Sequence, residues 1–174
     1  FLSEVSGKDI DEDRLKERIR RSGRTLENYR KFQRERADKY VPADLVTPLY
    51  SGMTNNILLG TEEEESYTEM LLRDIQKAEP SKGKRIYWMH TIPFWSEAVK
   101  KELYFNENAQ IVECELAQTF DGTLDPKRPY EAMAKRLVYH ALNGSALRRI
   151  QNGIRCAKEA GADDAVWFNH WGCK

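Results

Sequence analysis

Cysteine is scarce in this chain of 174 residues. Only Cys114, Cys156 and Cys173 occur, widely spaced and with no C-x-x-C pair. An odd, scattered set excludes a disulfide scaffold and fits a reducing cytoplasm. Net charge is missing too: 28 Lys and Arg balance 28 Asp and Glu. The basic excess of a nucleic-acid binder is therefore lacking. No apolar run approaches the length that crosses a bilayer, which argues against a membrane partner. The opening "FLSEVSGKDIDED" is neither a secretory leader nor a start at methionine, so the chain reads as an interior piece of a longer protein. No internal repeat, no Walker A and no G-x-G-x-x-G after the first strand is present, which weakens a nucleotide-binding reading.

What is present falls into two textures. Residues 11–38 read as one long helix, with Leu15, Ile19, Ser22, Leu26, Tyr29 and Gln33 at alternating spacings of four and three and Phe32 beside the last. Its remaining positions mix both charge signs, as on a solvated face. In "KYVPADLVTPLYSGMTNNILLG", Pro42 can open a helix, Leu45, Leu49, Met53 and Ile57 repeat every four residues, and Pro48 interrupts or kinks it. Thr61 with Glu64 forms a capping box for a third helix, whose acidic first turn suits the helix dipole. Tyr67, Met70, Leu71, Ile75 and Ala78 are its expected buried stripe.

After "EPSKGK" the period changes. "RIYWMH", "IVECELA" and "DAVWFN" read as strands, over residues 85–90, 111–117 and 164–169. Between them lie a short helix capped by Ser96, a helix with Tyr130, Met133, Leu137 and Val138 on one side, and a helix capped by Ser145 with Leu147, Ile150, Ile154 and Ala157 inward. The order β-α-β-α-α-β implies parallel strands joined by helical crossovers. The expected fold is α/β: a Rossmann-like parallel sheet with three strands, crossover helices and a helical N-terminal half. The expected division is a helical segment 1–79 and a Rossmann-like α/β segment 80–174, truncated at its C-terminal end.

Ligands of an open parallel sheet sit beyond the carboxyl ends of its strands. "HTIPFW", "LAQTFDG" and "HWGCK" leave those ends. A 2-1-3 strand order brings the first and last together, and with them His90, Trp95, His170, Trp171 and Cys173. Gly172 lets the backbone turn sharply beside a bulky group. A cysteine opening a following helix has its thiolate favoured by the dipole. Cys173 reads equally as an ordinary buried thiol. Cys114, within a strand, and Cys156, on a helix, read as core packing or simple exposure.

The stretch "DPKRPYEAMAKRL" followed by "GADDAVWFNHWGCK" resembles the 2-hydroxyacyl-CoA dehydratase and benzoyl-CoA reductase family, of the 2-hydroxyglutaryl-CoA dehydratase D-component type. The matching positions are Asp125, Pro126, Ala134 and Arg136, then His170, Gly172, Cys173 and Lys174 of an H-x-G-C-K motif. The upstream helices match in style, so the likeness spans nearly the whole chain. The resemblance implies a cytoplasmic, anaerobic iron–sulfur subunit that pairs with a related second subunit, as a heterodimer or homodimer. It implies a 4Fe-4S cluster with Cys173 as one ligand to iron, an ATP-dependent iron–sulfur activator protein that delivers one electron, and an acyl-CoA substrate. The thioester becomes a ketyl radical anion that expels the 2-hydroxyl, or in the reductase branch an aromatic thioester is reduced.

The family's other cluster cysteines are expected upstream of Phe1. One thiolate cannot hold a cluster that needs about four ligand positions filled, so this stretch alone is expected to be cluster-free and inactive. His90 and His170 are assigned to the shell around the substrate or cluster, or are strand-end polar residues without a catalytic role. Alternatives to the dehydratase reading are a non-catalytic homologue of the family, a zinc-binding site on His90, His170 and Cys173, and an acyl-CoA-binding or nucleotide-binding α/β module.

Overall fold

The computed structural model describes residues 2–169 and Gly172. A short helix α1 (Leu2–Ser6) precedes α2 (Glu12–Glu35), which starts where the Asp11 carboxylate accepts the Arg14 N–H at 2.9 Å. The helices α3 (Thr47–Leu58) and α4 (Glu62–Lys77) follow. The α/β part comprises β1 (Lys84–Met89), α5 (Glu97–Leu103), β2 (Ala109–Cys114), α6 (Pro129–Val138), α7 (Ala146–Glu159) and β3 (Asp164–Trp167). All three strands are parallel, in the order β2-β1-β3. This is the expected fold, with strand limits shifted by one to three residues at most ends.

Helix ends follow the local chemistry. Ser96 and Ser145 accept the N–H groups of Val99 and Arg148, and Thr61 that of Glu64. The capping box is only half made. The Thr61 N–H goes to the Leu58 carbonyl instead, and the Glu64 side chain turns into the protein. Pro48 does not kink a helix. It stands in the first turn of α3, where its missing N–H is not needed, while Pro42 lies in an extended lead-in.

Helix α3 runs back along α2 and α4 returns beside it. The Tyr29 hydroxyl meets the Ser51 hydroxyl at 3.1 Å, Arg18 donates to the Gly60 carbonyl at 2.6 Å, and Arg21 pairs with Glu62 and Glu65. Tyr29, Phe32 and Ile75 form one core. The second core joins the two textures: Leu45 and Leu49 pack with Trp88, Ile92, Ile111, Cys114 and Ala117. A slip in the β1–β2 register between Ile86 and Tyr87 puts Ile111 and Cys114 on the same side, although three positions apart.

The edge of β2 is covered rather than open. Arg36, buried, donates to the Ile111 carbonyl at 2.8 Å and lies over the Phe32 ring. The Gln110 side chain accepts the Val41 N–H and donates to the Lys39 carbonyl. The first occupies a β2 carbonyl that would otherwise recruit another strand, and the other two hold the Lys39–Val41 backbone beside β2.

Four apolar stripes differ from expectation. In α3 Leu49 is buried, while Met53 and Ile57 of the expected stripe are exposed. In α4 the buried positions are Glu64, Thr68 and Ile75, while Tyr67 and Met70 face outward. In α6 only Pro129 and Ala132 are buried, and Leu137 is 65% exposed. In α7 none is buried, and Leu147, Ile150 and Ile154 are more than half exposed. Periodicity marks an apolar face, but burial needs a surface to cover it, and none of the described elements covers these.

Two substitutions test the packing. A Cβ on Gly52 would overlap the Ala117 backbone carbonyl. Gly52→Ala is therefore expected to destabilise by about 1–3 kcal/mol in urea denaturation despite its better helix propensity. Asp163 accepts the Arg85 guanidinium and N–H, which pull its carboxyl down to about 2. A depressed carboxyl stabilises above its unfolded value and loses that contribution as pH falls toward the folded value. Asp163→Asn should thus flatten the acid limb of the stability profile between about pH 4 and pH 2, measured against the parent protein.

Candidate functional site

The carboxyl end of β1 is unusual in its backbone. His90 has φ 69°, a left-handed conformation that costs a residue with a Cβ about 1–2 kcal/mol. Neighbouring groups hold it there. Its N–H donates to Glu115 Oε2 at 3.2 Å, its Nδ1 lies 3.1 Å from the Thr91 hydroxyl, and its carbonyl faces the Cys114 thiol. The Trp88 indole N–H fixes the Thr91 carbonyl at 2.9 Å. Glu115 follows β2 directly, and its other oxygen accepts the Arg149 guanidinium of α7 at 2.8 Å. One carboxylate thus ties the ends of β1 and β2 to the start of α7.

The exit of β3 joins this neighbourhood. The Phe168 N–H reaches the Met89 carbonyl, and the Trp95 ring meets Phe168 edge-on with centroids 6.1 Å apart. The segments "HTIPFW" and "FN", after β1 and β3, therefore lie side by side, as a 2-1-3 order requires. His170, Trp171, Cys173 and Lys174 lie outside the described residues. Gly172 is exposed and in a turn.

A groove of about 420 Å³ leads from this crevice, between α7 and the faces of β1 and β3. Met89, Ile150, Ile154 and Ala165 line it, with Glu115 and Arg149 at the crevice end. Its size and apolar lining are those of a small-molecule site. A second cleft, of about 90 Å³, lies between α2 and α7. There Glu113 accepts Gln33 and the Cys114 N–H, and burial raises its carboxyl above the usual range. The Gln118 side chain donates to Tyr87 and accepts from Asn152. These groups satisfy one another.

The described thiols are not available as thiolates. Cys114 is in the core and Cys156 is half-buried on α7, and burial pushes each up to about 12. Among the described residues no three His, Cys, Asp or Glu side chains could hold a metal ion. The described residues by themselves therefore do not form an iron–sulfur site, nor a zinc site around His90. Glu115, Arg149 and Phe168 were not legible as site residues. The one available signal was a carboxylate placed right after a strand, where parallel sheets bind ligands.

Fold and crevice define an α/β protein with a Rossmann-like parallel sheet that gathers polar and aromatic groups at its strand ends. The chain belongs to the family of the 2-hydroxyglutaryl-CoA dehydratase D-component, whose model matches residues 1–174. That family is one of dehydratase components acting on acyl-CoA thioesters. No curated protein and no solved structure matches the chain. No helix among the described residues is long and apolar enough to cross a membrane.

The Glu115 bridge yields a prediction. Glu115→Ala frees the strained His90 N–H and the Arg149 guanidinium together. It should cost about 1–3 kcal/mol in chemical denaturation. A double-mutant cycle with Arg149→Ala should give a coupling of a few tenths of a kcal/mol to about 1 kcal/mol, as for a partly exposed pair.

Proposed function

We propose that this chain is part of the iron–sulfur subunit of a 2-hydroxyacyl-CoA dehydratase, which removes water from an acyl-CoA thioester, or of the related benzoyl-CoA reductase. The family match over the whole chain carries the reading. Two features support it. The exits of β1 and β3 converge at one crevice, and Cys173 follows Asn169, at the end of the β3 exit, by four residues. In this reading Cys173 is one thiolate ligand of a 4Fe-4S cluster, and the other ligands come from outside these 174 residues. A soft thiolate is the donor such iron centres take.

The same reading places the acyl part of the substrate in the apolar groove beside α7, with Arg149 and Glu115 at its mouth. His90 and His170 belong to the polar shell of the crevice. The partners are a related second subunit and a separate ATP-dependent activator that supplies the electron, and the setting is cytoplasmic and anaerobic. Cluster chemistry would supply single-electron transfer. This chain's part is to hold one ligand and to shape the crevice.

Iron content and EPR of the complete, anaerobically prepared protein test the assignment. Cys173→Ala should lose iron and the cluster signal, and dehydration or reduction should fall to background. Full iron content with an unchanged signal in that variant would overturn the ligand assignment and favour a non-catalytic homologue.

A further inference from the structure

The helical half holds a set of buried polar side chains that packing alone does not explain. Thr25 of α2, Asn55 of α3, and Glu64 and Thr68 of α4 are each at most 2% exposed. Thr68 is satisfied by the Glu65 carbonyl. Thr25 Oγ1, both polar atoms of the Asn55 amide and Glu64 Oε1 have no hydrogen-bond partner among the described residues, and neither has Nε of Arg136 on α6.

Helix register brings Thr25, Asn55 and Glu64 together, and Arg136 stands at their edge. Tyr29 meets Ser51, so one turn back along α2 and one turn forward along the antiparallel α3 sets Thr25 opposite Asn55. Arg21 and Arg24 meet Glu65, which sets the same turn of α2 beside the first turns of α4, where Glu64 and Thr68 point inward. Arg136 reaches the neighbouring residue on α3, donating to the Asn56 carbonyl at 3.0 Å and to its side-chain oxygen.

We infer that the junction of α2, α3 and α4 encloses a small polar site for ordered water, lined by Thr25, Asn55 and Glu64. The donor set identifies the occupant. A metal ion would satisfy the three oxygens but would repel the Asn55 Nδ2–H₂. Water both donates and accepts, and so serves all of them.

The charged groups around Glu64 are committed elsewhere. On α2, Arg18 holds the Gly60 carbonyl, Arg21 holds Glu62 and Glu65, and Arg24 holds Glu65. On α6, Arg136 holds Asn56. On α4 itself, Glu65 and Tyr67 are the neighbouring titratable groups, and neither offers a positive charge. Burial raises the Glu64 carboxyl above its ordinary range, with no opposing cation. A raised carboxyl stabilises fully below its unfolded value, and that contribution is lost as pH rises through the folded value. Ionisation of Glu64 therefore loosens α4 from α2 and α3 on the alkaline side.

Thermal denaturation of the intact protein and of Glu64→Gln, from about pH 5 to about pH 9, tests this. The two should coincide at the acid end, and the variant should melt a few degrees higher at the alkaline end. Parallel profiles would overturn the proposal. Should the variant fail to fold, the carboxyl carbon of Glu64 in the unmodified protein decides by NMR. Its titration midpoint should lie above the ordinary carboxylate range, and a midpoint inside that range would overturn the proposal. Oxygen-17 relaxation dispersion should count fewer long-lived waters in Asn55→Leu than in the parent. An unchanged count, or a melting midpoint raised by added potassium or calcium chloride only when Glu64 is present, would overturn the water assignment.

Discussion

The seam along the open edge of β2 holds the molecule together. Arg36 donates to the Ile111 carbonyl, and the Gln110 amide bonds Val41 and Lys39 in both directions. A three-stranded parallel sheet with a bare edge strand would be a poor folding unit and an invitation to aggregate. Closing that edge with the chain that leaves α2 places α3 so that Leu45 and Leu49 enter the sheet's own core. The helical half is thus part of the support of the sheet. A buried guanidinium is costly, and burial lowers its basicity. The Phe32 ring and the Ile111 carbonyl offset that cost.

From that support follows the geometry of the strand ends. With β1 held between β2 and β3, its exit must turn at once, and His90 turns in a conformation usually left to glycine. Glu115 makes this tolerable by binding the His90 N–H and Arg149 together. The strain, the carboxylate and the aromatic contact between Trp95 and Phe168 all fall on the side of the sheet where parallel folds bind ligands. The family match makes the chain a dehydratase component, and the proposed function sets that chemistry at this crevice.

Much of this was legible in local sequence. Three short apolar runs separated by helical patterns gave a parallel sheet, and Ser96, Thr61 and Ser145 marked helix starts through a chemistry that acts over three residues. The apolar stripes of α6 and α7 were legible as stripes but not as core. Leu137, Leu147 and Ile154 are exposed, because a stripe records a preference for apolar contact and does not say what supplies the contact. Pro48 opens its helix and does not kink one, since a proline can serve either role and the neighbouring turn decides.

The sequence by itself determined the class of fold, the parallel sense of the strands and the family. Those rest on periodicity, capping and motif, all of which act along the chain. Only the tertiary structure decided that Glu115 and Arg149 stand beside His90, that Glu64 turns inward instead of closing its capping box, and that Arg36 rather than another strand covers β2. Each of these joins residues more than twenty positions apart or depends on what else is buried nearby. Burial and long-range pairing are set by the three-dimensional arrangement, which no local pattern encodes.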